Sequence, residues 1–233
     1  MCTVTYIPID NERFIFTSNR DESPMRKTIP PMSYVEGGVK MIYPKDELAG
    51  GTWIGISEKD RLVCLLNGGF EKHKRNSYYR MSRGVVVKKL LQVDNPVETI
   101  QEFDFDNIEP FTIVLVDWSQ KLKAYELVWD GENKHFNSLE NKPKIWSSST
   151  LYDASTKQAR LDWFDEWLSN DSLDQQEILS FHQDTNKGTE ETALKMKRPF
   201  VETVSITSVK KQQEGVDITY LDFMHQKETF LKV

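Results

Sequence analysis

Short apolar runs with period-two alternation, separated by compact polar turns, dominate the chain and predict a protein built mostly of strands. TVTYIPI (residues 3–9) and RFIFTS (13–18) flank Asp10 and Asn11, which predicts a hairpin. A two-residue loop there sets Ile9 against Glu12 and Pro8 against Arg13. Carried onward, that register places Cys2 opposite Asn19, with Arg20 and Asp21 just beyond. GTWIGIS (51–57) and RLVCLLN (61–67) flank EKD in the same way, and FTIVLVDW (111–118) and KAYELVWD (123–130) form a third pair across SQKL. Near the end, VETVSITSV, VDITYLDF and ETFLKV read as a meander.

Helical periodicity is confined to four places. SYYRMSRGVVVKKLLQ gathers Val86, Val87, Leu90 and Leu91 on one face, and NPVETIQEF opens with Asn95 as cap, Pro96 at the first position and Glu98 three residues after the cap. KQARLDWFDEWLSN predicts a stripe of Leu161, Phe164 and Leu168 with Trp163 and Trp167 beside it, and SLDQQEILSFHQ predicts a shorter helix. The polar stretch 183–195 reads as a mobile loop. About ten strands with four helices predict an α+β fold, either two facing sheets with helices outside or one sheet with helices on one face. With 233 residues and no evident linker, the chain reads as a single domain, 1–233.

Composition narrows the partners. A net charge of -6 argues against nucleic acid, because neutralising phosphates needs a basic face. The one basic cluster, EKHKRNSYYRMSR, reads as a solvated loop entering a helix, with an anion site as the alternative. No apolar run approaches the roughly 20 residues of a membrane span, and the N-terminus lacks a signal-peptide pattern, so a cytoplasmic location is expected. Two cysteines suggest reduced thiols rather than a disulfide framework, with Cys64 in the core. No metal site or cofactor is implied, and the oligomeric state is left open.

The candidate chemistry centres on the two ends of the first hairpin. If Met1 is removed, Cys2 becomes a chain-terminal thiol nucleophile whose own α-amine, with a reference pKa of about 7.7–8.0, serves as base. Asp21 would hold the ammonium form, Arg20 would favour the thiolate, and Asn19 or Asn67 would donate to an oxyanion. Asn67 ends an apolar strand and precedes Gly68 and Gly69, where a substrate can approach the backbone closely. Asn19, Trp53 and Ser148 complete the expected substrate-binding set. The plainer reading makes Cys2 a small edge-strand residue and SNRDES a turn tied by its own side chains.

The motifs MCTVTY, TSNRDE (17–22), AGGTWIGIS (49–57), LLNGG (65–69) and SRG (82–84) together resemble the NRDE family, also called the transport and Golgi organisation family. That family looks related to N-terminal nucleophile hydrolases of the bile salt hydrolase and penicillin V acylase type. The resemblance implies a four-layer αββα sandwich of two antiparallel sheets and an Asp21 matching the hydrolases' aspartate. In the bile salt hydrolase pattern an arginine precedes Asn-x-Asp, where this chain has Ser18, and its arginine is Arg20. The pattern's later Asn is matched only by Ser148, and its late arginine only by Arg198. Two functions are therefore expected: a cysteine N-terminal nucleophile hydrolase cleaving an amide in a small acyl conjugate, or a non-catalytic trafficking protein for haem or a lipid-like ligand. The four histidines form no recognisable haem-ligating pattern.

Overall fold

The structure is a computed structural model that describes residues 3–169 and 174–233. The described residues form thirteen strands and four helices, divided between two compact units. One unit comprises Met1–Arg26 with Asn141–Val233, and the other comprises Lys27–Glu140.

The first unit holds a six-stranded antiparallel sheet. Its order is β10 (Lys144–Ser147), β1 (Thr3–Pro8), β2 (Phe14–Glu22), β11 (Glu202–Lys211), β12 (Val216–Asp222) and β13 (Lys227–Lys232). Helices α3 (Ala154–Leu168) and α4 (Gln175–His182) pack on one face of it, where Ile7 and Ile15 meet Phe164, Ile178, Phe181 and Leu194. Both helices open on an aspartate cap: Asp153 accepts the Thr156 N–H and Asp174 the Glu177 N–H.

The hairpin forms, but its register is one residue from that expected. Pro8 pairs with Phe14 and Thr3 with Asn19, so Ile9–Arg13 is a wider loop. The cause is Asp10, whose carboxylate accepts the backbone N–H of Glu12 and Arg13 and the Arg13 Nε–H. Neither Asp10 nor Asn11 takes the positive φ that a two-residue hairpin turn of this composition requires. The pairing inferred for Cys2 lies outside the described residues.

The second unit holds a seven-stranded antiparallel sheet in simple sequence order. It runs β3 (Thr28–Glu36), β4 (Val39–Asp46), β5 (Ile54–Ser57), β6 (Arg61–Asn67), β7 (Phe111–Asp117), β8 (Lys123–Trp129) and β9 (Lys134–Leu139). Helices α1 (Arg83–Gln92) and α2 (Pro96–Glu102) belong to this unit, and Val86, Val87, Leu90 and Leu91 are all buried as their spacing predicts. Strands β3, β4, β9 and β10 were not anticipated. Both β3 and β9 are edge strands whose residues are mostly exposed or half-buried, so no clean apolar alternation marks them.

The glycines of AGGTW and SRG explain each other. An added Cβ on Gly84 would lie 2.9 Å from the Thr52 carbonyl oxygen, and one on Gly51 would lie 3.3 Å from Gly84 Cα. Helix α1 thus begins in direct backbone contact with the segment before β5, a crossing that only glycine permits.

Candidate active site

Asp21 lies near the end of β2, 3% exposed, on the face that carries the helices. Its two carboxylate oxygens are held separately: Tyr152 donates its hydroxyl to one at 2.8 Å and Thr203 donates to the other at 2.6 Å. Directly beside it the ladder is interrupted. Asp21 pairs with Thr203 and Arg20 with Ser205, leaving Val204 as an extra residue in β11. Such a bulge twists the strand and re-aims neighbouring side chains, and bulges gather near functional sites.

Arg20 occupies the opposite face, 3% exposed, and one guanidinium N–H reaches the Arg26 carbonyl at 3.2 Å. Strand alternation therefore separates Asp21 from its sequence neighbours Arg20 and Glu22. Glu22 is half-buried and pairs with Arg26 at 3.3 Å.

Asn19 shares the Asp21 face and is fully engaged inside the unit. Its amide nitrogen donates to the carbonyls of His182 and Leu194 at 3.1 and 2.8 Å, which turns Oδ1 toward His182 Nδ1 at 2.5 Å. That geometry assigns the proton to Nδ1 and leaves Nε2 to accept the Thr5 hydroxyl at 2.8 Å. His182 has no exposed surface, and burial, with the Arg160 guanidinium second, lowers its pKa to about 3.

Arg160 was missed by pattern reasoning. It replaces Leu161 on the buried stripe of α3, and Leu161 is 40% exposed. The guanidinium donates to Thr3 Oγ1 and to the carbonyls of Thr192 and Ala193, and it stacks 3.6 Å from the centre of the Tyr152 ring. It therefore braces the same Tyr152 that holds Asp21. An arginine three residues before Trp163 carries no sequence signal for this task. The stretch 183–195, expected to be mobile, is instead pinned at its far end by the bonds from Asn19 and Arg160.

Ser148 is buried in the turn between β10 and α3, where its hydroxyl meets Thr150 at 2.9 Å and its carbonyl accepts the Tyr152 N–H. Arg198 donates to the carbonyls of Glu191 and Leu151, and so fastens two loops of its unit. Trp53 and Asn67 belong to the other unit. Trp53 is 4% exposed, and Asn67 ends β6 opposite Phe111, just before Gly68 at φ +88°. Cys2 lies outside the described residues.

The basic cluster already surrounds an internal anion. His73, Arg75 and Arg83 converge on Glu109 at 3.4, 3.8 and 3.1 Å. Among the described residues no group of three or more His, Cys, Asp or Glu side chains could hold a metal ion. Among the described residues no helix is long and apolar enough to cross a membrane.

A family model described as Transport and Golgi organisation 2 matches residues 1–221. No curated protein matches in sequence. Among solved structures, a variant of conjugated bile acid hydrolase from Clostridium perfringens superposes with a TM-score of 0.63 at 10% identity, covering 99% of this chain and 92% of its own. An N-acylethanolamine-hydrolyzing acid amidase ortholog from Caenorhabditis elegans gives 0.58 at 13% identity, covering 89% and 92%. Penicillin V acylase from Agrobacterium tumefaciens gives 0.51 at 10% identity, covering 100% and 86%. At these identities the likeness shows the fold, and the expected α+β fold of the N-terminal nucleophile hydrolase kind, with two antiparallel sheets, stands.

Proposed function

The chain belongs to the Transport and Golgi organisation 2 family, and from that premise we propose that it is a cysteine N-terminal nucleophile hydrolase acting on an amide bond of a small acyl conjugate. The observation that carries this reading is Asp21: a buried carboxylate, fixed by Tyr152 and Thr203 at a bulge, on the strand that pairs with the one following Cys2.

In this reading removal of Met1 frees the Cys2 α-amine. The thiolate attacks the acyl carbon and forms a C–S bond while the carbonyl π electrons move to oxygen. Collapse then breaks the C–N bond, and the amine leaves with a proton from the α-ammonium. Water attacks the thioester, the C–S bond breaks, and the carboxylic acid and thiol are released. Asp21 holds the ammonium, Arg20 contributes positive charge that favours the thiolate, and Ser148 belongs to the substrate-binding set. Asn19, whose amide hydrogens are already spent, contributes by fixing the end of β2. The reaction needs no cofactor, and the proposed setting is the cytoplasm.

Intact mass and turnover test this together. The expected outcome is a protein lacking Met1 that hydrolyses members of an N-acyl amide panel, with activity lost in Cys2→Ala. Retention of Met1, with haem or a lipid bound and no turnover by the wild type, would establish the carrier reading instead.

A further inference from the structure

Strand β13 ends the six-stranded sheet, and among the described residues no strand pairs with its outer side. The ladder to β12 fixes which of its backbone groups are spent. Val216 and Val233 exchange both of their N–H···O=C bonds, at 2.8 and 2.9 Å. Bonded and non-bonded pairs alternate along an antiparallel ladder, so Leu231, Thr229 and Lys227 also turn their backbone groups toward β12. The N–H and C=O groups of Glu228, Phe230 and Lys232 therefore point away from it. The side chains of these three residues share one face of the strand, and all three are exposed, Phe230 to 53%.

Such an edge is a template for another strand, and bulges, prolines or charges of one sign commonly guard against it. β13 pairs with β12 without a register shift, contains no proline, and carries charges that complement themselves. Neither Glu228 nor Lys232 has an ion-pair partner among the described residues, and the Lys232 ammonium lies 5.8 Å over the Phe230 ring. An antiparallel partner must set outward backbone groups against outward backbone groups. A second copy of β13 does this when Phe230 meets its own counterpart across a two-fold axis. Glu228 of each copy then stands opposite Lys232 of the other, and the two exposed phenyl rings cover each other. A slip of one residue turns spent backbone groups toward outward ones, and a slip of two sets Phe230 against Glu228 or Lys232 and loses the charge pairing.

We infer that β13 is a self-association edge, on which two copies of this chain pair their β13 strands antiparallel about Phe230 to form an isologous dimer. The contact does not depend on Cys2 chemistry and serves a hydrolase or a carrier equally.

Sedimentation of the full chain over about 1–200 µM tests it. The expected result is a reversible rise from the monomer mass toward twice that mass. Glu228→Lys and Lys232→Glu each turn two cross-strand attractions into repulsions and should weaken the dimer about fivefold or more. The two changes combined restore opposite charges and should restore the wild-type affinity. Phe230→Pro removes an outward N–H and the central ring, so the dimer should be lost while the ladder to β12 and Tm are kept. A wild type that stays monomeric over the whole range would overturn the inference. So would a dimer that Phe230→Pro or the single charge changes leave intact, because the contact would then lie on another surface. Single charge changes that weaken the dimer without recovery in the combined variant would overturn the pairing about Phe230.

Discussion

At the scale of single residues, His182 links stability to pH. Its ring is fixed at both nitrogens in the neutral form, and its pKa of about 3 lies below the unfolded value near 6.5. Between those values only the unfolded chain takes up the proton, so stability is complete above about pH 6.5 and falls with pH below it. Urea unfolding at pH 7.5 and 5.5 should show a loss of about 1.4 kcal/mol from this group, absent in His182→Gln. Asp21 gives the corresponding test of chemistry. Tyr152 and Thr203 carry hydroxyls that can turn to meet an amide, so Asp21→Asn should cost only about 1 kcal/mol of stability. On any substrate found, the same change should lower kcat/KM by about a hundredfold or more, the scale of a lost preorganised charge. Glu22→Gln removes one partly exposed ion pair and should change stability by less than about 1 kcal/mol and activity little.

At the scale of elements, two contacts decide how helices meet their sheets. Gly84→Ala would push a methyl against the Thr52 backbone and should cost about 1–3 kcal/mol, read as a lowered Tm, whereas Val85→Ala, on the exposed side of α1, should change little. Arg160→Met would leave the carbonyls of Thr192 and Ala193 and the hydroxyl of Thr3 without their donor. A loss of about 3–5 kcal/mol is expected by denaturant titration, and Arg160→Lys should not restore it, because an ammonium cannot reproduce the planar fork or the stacking on Tyr152. Loosening of Tyr152 should then lower activity along with stability.

At the scale of the whole molecule, the two cysteines report on separate things. Cys64 lies inside β6 with no exposed surface, so it should resist alkylation until the chain unfolds. The proposed mechanism requires the opposite of Cys2. Brief iodoacetamide treatment at neutral pH followed by peptide mapping should label Cys2 first, and equal labelling of the two thiols would count against the nucleophile.

Local pattern carried a good deal of this. The apolar runs of β1, β2, β5 to β8 and β11 to β13, the Asn95 cap and the buried face of α1 follow from periodicity, because each depends on neighbours within a few residues. The residues NRDE stood out for the same reason: charge at the end of an apolar strand is a local anomaly. What the sequence alone left undecided was every property set by partners far along the chain. Edge strands β3 and β9 hide in polar composition, and the hairpin register turned on how many donors Asp10 could gather. The separation of Arg20 from Asp21 onto opposite faces follows from strand alternation, but which face meets helices was decided by the packing of Phe164, Ile178 and Phe181. The partners that fix Asp21 and Asn19 stand 131 to 182 residues away in sequence, and only the folded sheet brings them within hydrogen-bond reach.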